Sequence, residues 1–396
     1  MDPYANEWLD LLVRWLHVIA AIAWIGSSFY FIALDNHLRP PAEEANAERG
    51  VGGEAWEIHG GGFYQVQKYR LVPRTLPEPL HWFKWEAYTT WLSGFALLIV
   101  LYYVNANTYL IDKSVADLRP WQAIAISGAL LIAAWFVYDG LCRLVPSDVA
   151  LAAVLLVLVT LAAWGVSHLF SGRAEYIQIG AMLGTIMTAN VFFVIIPAHW
   201  DLIRAKEAGR EPNAAAALEA KRRSVHNNYL TLPVLFTMIS NHFPFTYGHS
   251  HAWLILVALM VIGAWVRHYF NLRHTGRNAW WIPVTAAIGI AVVAVLIRPQ
   301  ENKASTSGPP VAFPRVEAIV AQRCAVCHSA HPSYPGIDTA PKGVVLDTPA
   351  EIQQQADRIR QQAIDTKAMP LSNVTKMTQA ERDLLARWIA QGAKIP

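Results

Sequence analysis

The stretch RWLHVIAAIAWIGSS, residues 14–28, is apolar along most of its length and carries one imidazole, His17, in its interior. With its flanks it forms an apolar run over about 10–33, long enough to cross the ~30 Å hydrocarbon layer of a bilayer as a helix. Six more such runs follow, at 86–104, 121–139, 149–168, 177–198, 252–270 and 280–298. An eighth segment, YLTLPVLFTMISNHF (229–243), is shorter and contains Pro233, which predicts a broken or re-entrant helix. MDPYANEWLD, ahead of the first run, is acidic, and no small-residue cleavage site follows that run. It is therefore read as a retained span rather than a signal peptide.

The bulk composition agrees with a chain that lives in lipid. Of 396 residues, 54% are hydrophobic and only 15% are charged, against about a quarter charged in ordinary soluble enzymes. Sixteen tryptophans suit a protein with many membrane interfaces. The net charge of +3 does not point to nucleic acid, because the basic residues fall between the spans. With eight crossings, the loops 35–85, 140–148, 199–228 and 267–279 share one side and hold most of the arginines and lysines. The opposite loops hold only Lys113, Arg119 and Arg173. By the positive-inside rule the first set faces the cytoplasm and both termini lie outside, in the periplasm of a bacterial inner membrane.

After Pro299 the composition changes to ENKASTSGPP (301–310), a polar linker with glycine and proline. The domains are thus read as 1–298 in the membrane, a linker over 299–312, and a soluble domain over 313–396. That last part contains CAVCH, the pattern of covalent c-type haem attachment: Cys324 and Cys327 add to the vinyl groups and His328 ligates the iron. A zinc site would need two further ligands, and only His331 is near. For the sixth iron ligand, Met369 in KAMPLSN precedes a proline in an irregular segment. Met377 starts a helix whose Thr378 and Glu381 form a capping box, so its expected role is packing. The tail resembles a class I cytochrome c domain. The expected fold is all-α, an eight-helix transmembrane bundle followed by that domain. Cys142 is read as a core thiol.

A membrane domain joined to an electron acceptor must oxidise something or relay electrons from what does. No dinucleotide or Walker glycine motif and no iron–sulfur cysteine cluster is present, which leaves histidine as the abundant redox-metal ligand. His17, His168, His242, His249 and His251 fall toward the outer side, and His59, His81, His199, His226 and His268 toward the inner edge. Because His17 lies inside a span, it is a functional candidate by position. Ala20 and Ala21 beside it leave room for a flat ring, so a haem b held by His17, with His242 as trans ligand, is one reading. An imidazole bonded to a neighbouring helix is the other. At the inner edge EIHGGGFYQVQKYR (57–70), LHWFKWEAYTTW (80–91) and SVHNNYLTLPV (224–234) gather His, Asn, aromatic and basic residues suited to a planar anionic heterocycle. A plain cytoplasmic surface with belt tryptophans is the alternative.

Taken together, HGGGFY, LHWFKWEAYTTW and SVHNNYLTLPVLFTMISNHFP, closed by a cytochrome c tail, resemble the bacterial membrane-bound, cytochrome-c-dependent urate oxidases. The resemblance spans nearly the whole chain. It implies oxidation of urate to 5-hydroxyisourate, with electrons passing to haem c and then to a downstream cytochrome or terminal oxidase, and no hydrogen peroxide. It carries no residue assignment for the urate site. From the residues themselves, the expected bases are His226 and Glu86, and the expected substrate contacts are Asn227, Asn228, Trp85, His59 and Arg70. Two other functions remain open at this point: a quinol:cytochrome c oxidoreductase, and a purine permease with an appended redox domain.

Overall fold

The computed structural model describes residues 3–298 and 309–396, so most of the 299–312 linker lies outside the described residues. Each expected span lies in helix. The helices are α1 (Pro3–His37), α2 (Trp85–Leu97, extended by a π-helical turn over Leu98–Tyr103), α3 (Pro120–Leu144) and α4 (Asp148–Ser167). They continue with α5 (Gly172–Asn190, running through Val191–Ile195 into Ile196–Glu207), α6 (Ala214–Ile239), α7 (Ala252–His274) and α8 (Trp281–Leu296). Five helical stretches are long and apolar enough to cross a membrane: Trp8–His37, Pro120–Leu144, Asp148–Ser167, Gly172–Glu207 and Ala252–His274. Trp281–Leu296 is apolar but shorter, and α6 is long but polar over its first half.

Three expectations need correction. The fold is mostly helical rather than purely so, because HGGGFY is the turn of a hairpin, β1 (Val51–His59) paired antiparallel with β2 (Gly62–Tyr69). Gly60 and Gly61 both have positive φ, 58° and 82°, which is what a two-residue turn matching strand twist requires. Second, α6 is not broken at Pro233. It runs unbroken to Ile239 and ends in a 3-10 turn. A close helix crossing lies at that point, since a Cβ on Gly263 of α7 would sit 3.3 Å from Leu232 Cβ. Third, the inner loops are shorter than the charges suggested. Lys221, Arg222, Arg223 and Arg267 are helical, and Arg223 and Arg267 are buried.

Local sequence sets the helix starts. Ser147, Ser171 and Asn213 each accept a hydrogen bond from the backbone N–H three residues on, replacing a partner that the first turn lacks. The bundle core joins Leu131, Trp135 and Tyr138 of α3 to Leu151 and Ala163 of α4, Ile179 and Leu183 of α5, and Leu256 of α7. Side chains such as Trp15 and Ile22 of α1 point away from it, as a lipid-facing surface would.

The tail is built on α9 (Phe313–Arg323), α10 (Pro349–Gln354) and α11 (Gln379–Ala390) around Val316, Val320, Met377, Leu385 and Trp388. The Thr378–Glu381 capping box forms, and Arg323 of α9 reaches the same Glu381 carboxylate at 2.8 Å. Met377 is buried in this core. The tail rests on one end of the bundle, where Ser372 Oγ donates to the Thr108 carbonyl at 2.8 Å. Nearby, the Thr366 carbonyl lies so close to Gly248 that a Cβ there would fall 2.0 Å from its oxygen. Asp112, Arg173, Lys367 and Arg382 line a cavity of about 370 Å³ at this junction.

Candidate functional site

The most polar part of the bundle interior lies in the half away from the tail, where α6 carries His226, Asn227 and Asn228 in succession. Three consecutive residues on a helix point in directions about 100° apart, so the run addresses different neighbours. His226 and Asn227 face α3 and α5. The Tyr138 hydroxyl accepts from Asn190 Nδ2 at 3.1 Å, which leaves its own proton for His226 Nδ1 at 2.9 Å. The His226 proton then resides on Nε2, which approaches Asp148 Oδ1 at 3.4 Å. Asn190 also donates to Asn227 Oδ1 at 2.9 Å, and Asn227 donates onward to the Met187 carbonyl at 2.9 Å.

Arg223, one turn earlier on α6, is only 2% exposed and fully engaged. It donates to Glu219 at 2.6 Å, to Asn190 Oδ1 at 3.1 Å and to Asp139 at 2.8 Å, and its guanidinium lies over the Tyr138 ring. Two carboxylates thus offset one buried cation. Asn228 turns instead toward α1 and α7. Its Oδ1 accepts from Arg267 Nε at 2.8 Å, and its Nδ2 makes a long contact, 3.5 Å, with Ser28 Oγ. Arg267 also donates to Asn271 Oδ1 at 3.1 Å and sits 4.1 Å from the Phe29 ring centre.

The other expected site residues fall elsewhere. Glu86 is in the first turn of α2, and its Oε2 is buried with no hydrogen-bond partner among the described residues. No hydrogen bond joins it to His226. Trp85, beside it, is 63% exposed and packs edge-on against Tyr88. His59 and Arg70 are exposed on the hairpin. That hairpin runs beside the end of α1, where Tyr30 donates to Glu57 at 2.6 Å and Lys68 pairs with Asp35 at 2.5 Å. Sequence reasoning missed Arg267, Arg223, Asn190 and Tyr138. The double asparagine was the signal that could have led to them, since two amides inside a span need polar partners from other helices.

His17 points at α2. Its Nδ1 lies 3.0 Å from the Thr90 carbonyl and 3.1 Å from Ser93 Oγ, and its ring packs on Gly94, where a Cβ would come within 2.9 Å of Cε1. His17 lies 14 residues, about 21 Å along the helix, from the described start of α1. His242 is exposed in the turn after α6, at the tail end, and makes no hydrogen bond among the described residues.

In the tail, His328 Nδ1 lies 3.0 Å from the Val344 carbonyl, which fixes the proton on Nδ1 and leaves the Nε2 lone pair for an iron. Cys324 and Met369 both pack against the same apolar core. Burial pushes the Cys324 thiol up to about 12, a setting for an uncharged sulfur such as a thioether rather than a metal-bound thiolate. A covalent haem here would be attached by Cys324 and Cys327 and held by His328 and Met369.

Neither curated proteins nor solved structures give a match to this chain. A family profile does, over residues 3–298, which takes in every helix of the bundle and the hairpin. The chain therefore belongs to the family described as urate oxidase, N-terminal, and is a urate-oxidase-related protein.

Proposed function

We propose that the protein is a membrane-bound urate oxidase that passes electrons to a haem c in its own tail. Urate and water give 5-hydroxyisourate, two protons and two electrons. The electrons leave one at a time through the tail to a downstream cytochrome or terminal oxidase, so oxygen is not reduced to peroxide at this protein. The observation that supports the reading is physical continuity: a bundle of urate-oxidase type bears, on one end, a docked tail whose CAVCH histidine is held by the Val344 carbonyl with Nε2 free.

The chain's own groups supply the rest. Urate enters from the cytoplasm and binds in the polar half away from the tail, where Asn227 and Asn228 sit among α1, α3, α5 and α7. A base removes a ring proton as the first electron departs. His226 would take that proton at Nδ1, relayed through the Tyr138 hydroxyl that donates to it, and Asp148 beside Nε2 would stabilise the imidazolium. Glu86, with one carboxylate oxygen unpartnered, is the other base. Trp85, His59 and Arg70 lie at the cytoplasmic surface, on the approach to this region. The haem c, when bound, supplies a one-electron acceptor. His17 is a relay candidate, because the Thr90 contact leaves its Nε2 free for a haem b iron. His242, at the tail end, would be the second residue to hold that haem. The excess of basic residues at the end away from the tail supports a cytoplasmic site and a periplasmic tail.

Anaerobic addition of urate to the purified, oxidised protein tests this directly. The c-type α-band should rise by the electron equivalents that the urate supplies. A band that responds to quinol but not to urate would replace the reading with a quinol:cytochrome c oxidoreductase. Urate uptake into vesicles without any haem reduction would identify a permease. A pyridine haemochrome spectrum showing c-type haem alone would remove the His17 relay and leave the rest standing.

A further inference from the structure

Arg267 is a cation buried without an anion. It is 4% exposed, seven residues or about 10 Å inside the end of α7. A charged side chain at such a position usually snorkels to the interface or pairs with a carboxylate. Arg267 does neither. Its Nε and Nη2 donate to the neutral amide oxygens of Asn228 and Asn271, and its face rests on Phe29. No carboxylate pairs with it among the described residues, whereas Arg223 on the other side of α6 has two.

Amide oxygens and a phenyl face offset only part of the cost of taking a guanidinium out of water. Among the described residues Nη1 has no hydrogen-bond partner, and Asn228 Nδ2 has only its long contact to Ser28 Oγ. A cluster of donors around an uncompensated positive charge is what an anion with several acceptor atoms requires. The flat guanidinium fork favours a planar one.

We infer that Arg267, held by Asn228 and Asn271, is the anion receptor of the substrate site and takes the ionised, carbonyl-rich purine ring. The inference rests on the proposed function and adds the residue that reads the charge of the substrate. Three helices far apart in sequence build the receptor: Ser28 and Phe29 from α1, Asn228 from α6, Arg267 and Asn271 from α7. Arg267 is a binding residue in this account and transfers no proton.

The test uses full-length protein in detergent, with thermal unfolding and anaerobic equilibrium titration as readouts. Wild type should be stabilised by urate, and Arg267→Met should weaken urate binding at least tenfold. Hypoxanthine, an uncharged oxopurine at pH 7, should change less than twofold. Without ligand, Arg267→Met should unfold at the same temperature as wild type or higher, because an uncompensated charge has gone. Arg267→Lys, which keeps the charge and loses the fork, should fall between the two in urate affinity and guards against a misfolded Met variant. Unchanged urate affinity in Arg267→Met overturns the inference, as does a marked loss of unliganded stability with urate and hypoxanthine weakened alike. Urate-driven haem reduction with normal KM in Arg267→Met would leave the proposed function intact and remove the receptor. Conversely, benzoate, a planar monoanion outside purine chemistry, would keep the receptor if it stabilises wild type but not Arg267→Met while urate reduces no haem. If neither urate nor benzoate acts through Arg267, the inference falls.

Discussion

The two buried arginines, Arg223 on α6 and Arg267 on α7, are built on opposite principles. Arg223 is a closed unit: Glu219 and Asp139 balance its charge, Asn190 takes a further N–H, and Tyr138 covers its face. Arg267 is an open one, with only amide and aromatic partners. A closed unit holds helices together. An open one stores unfavourable electrostatics that a ligand can relieve, the usual way a binding site departs from maximum stability. The difference separates a structural polar network from a receptive one within a single membrane half.

Removing each cation is the strongest way to break the contrast. Arg223→Met strands Asp139 and Glu219 in the bundle, although Arg143 at 2.7 Å and Arg222 at 3.6 Å still reach them. The expected loss is therefore near the low end for a broken buried pair, about 3 kcal/mol. Thermal unfolding in detergent should show a large drop, opposite in direction to Arg267→Met. If both variants fell together, the two arginines would be equally structural. The next effect is steric. Gly180 of α5 lies against α6 so closely that a Cβ would stand 2.0 Å from Thr237 Oγ1. Gly180→Val should cost about 1–3 kcal/mol by overpacking and lower urate affinity by displacing α6. An unchanged unfolding temperature would mean that this crossing does not hold the asparagine helix in place. Asn190→Ala should act at a similar or smaller scale, about 1–2 kcal/mol, by leaving Arg223 and Asn227 each one partner short. It should leave hypoxanthine and urate affinities in their original ratio, because the Arg267 side is not touched.

The sequence discloses the two arginines very unevenly from the rest of the fold. Each expected span lies in helix, because hydrocarbon thickness and apolar run length are both local properties of the chain. The Thr378–Glu381 capping box was legible for the same reason, its two partners being three residues apart. The hairpin was not: WEIHGGGFYQV has no steady alternation, and its strands are placed by contacts with α1, such as Tyr30 with Glu57 and Lys68 with Asp35. Arg267 was counted among loop charges because VRHYFNLRH at the end of an apolar run reads as a helix exit. Its burial depends on Asn228 and Phe29, which lie on other helices. Asn227 and Asn228, expected as substrate contacts, are buried polar groups of α6, and their opposite destinations follow from tertiary packing alone. Glu86 and His226, paired as candidate bases by sequence, are not joined by any hydrogen bond.

The smallest expected effect lies in the tail and extends the same contrast to a compensated carboxylate. Burial opposes the charge on Glu381, but hydrogen bonds from Arg323 and Thr378 outweigh it and hold the carboxyl below the ordinary glutamate value of 4.5. A carboxyl with a lowered folded-state value contributes stability that is complete above its unfolded value and disappears as pH falls through the folded one. Wild type and Glu381→Gln should therefore differ most in tail stability near neutral pH, and converge in acid once the native carboxylate is protonated. Glutamine can replace glutamate in a capping box, so the Thr378 contact survives and the neutral-pH difference reports the Arg323 pair. Hydrogen exchange of the α9 and α11 amides across an acid series reads this out without depending on the membrane domain. A gap that stays constant down to the acid limit would mean that the Arg323 pair adds nothing beyond the cap, and that balanced charge stabilises only where the bundle excludes water.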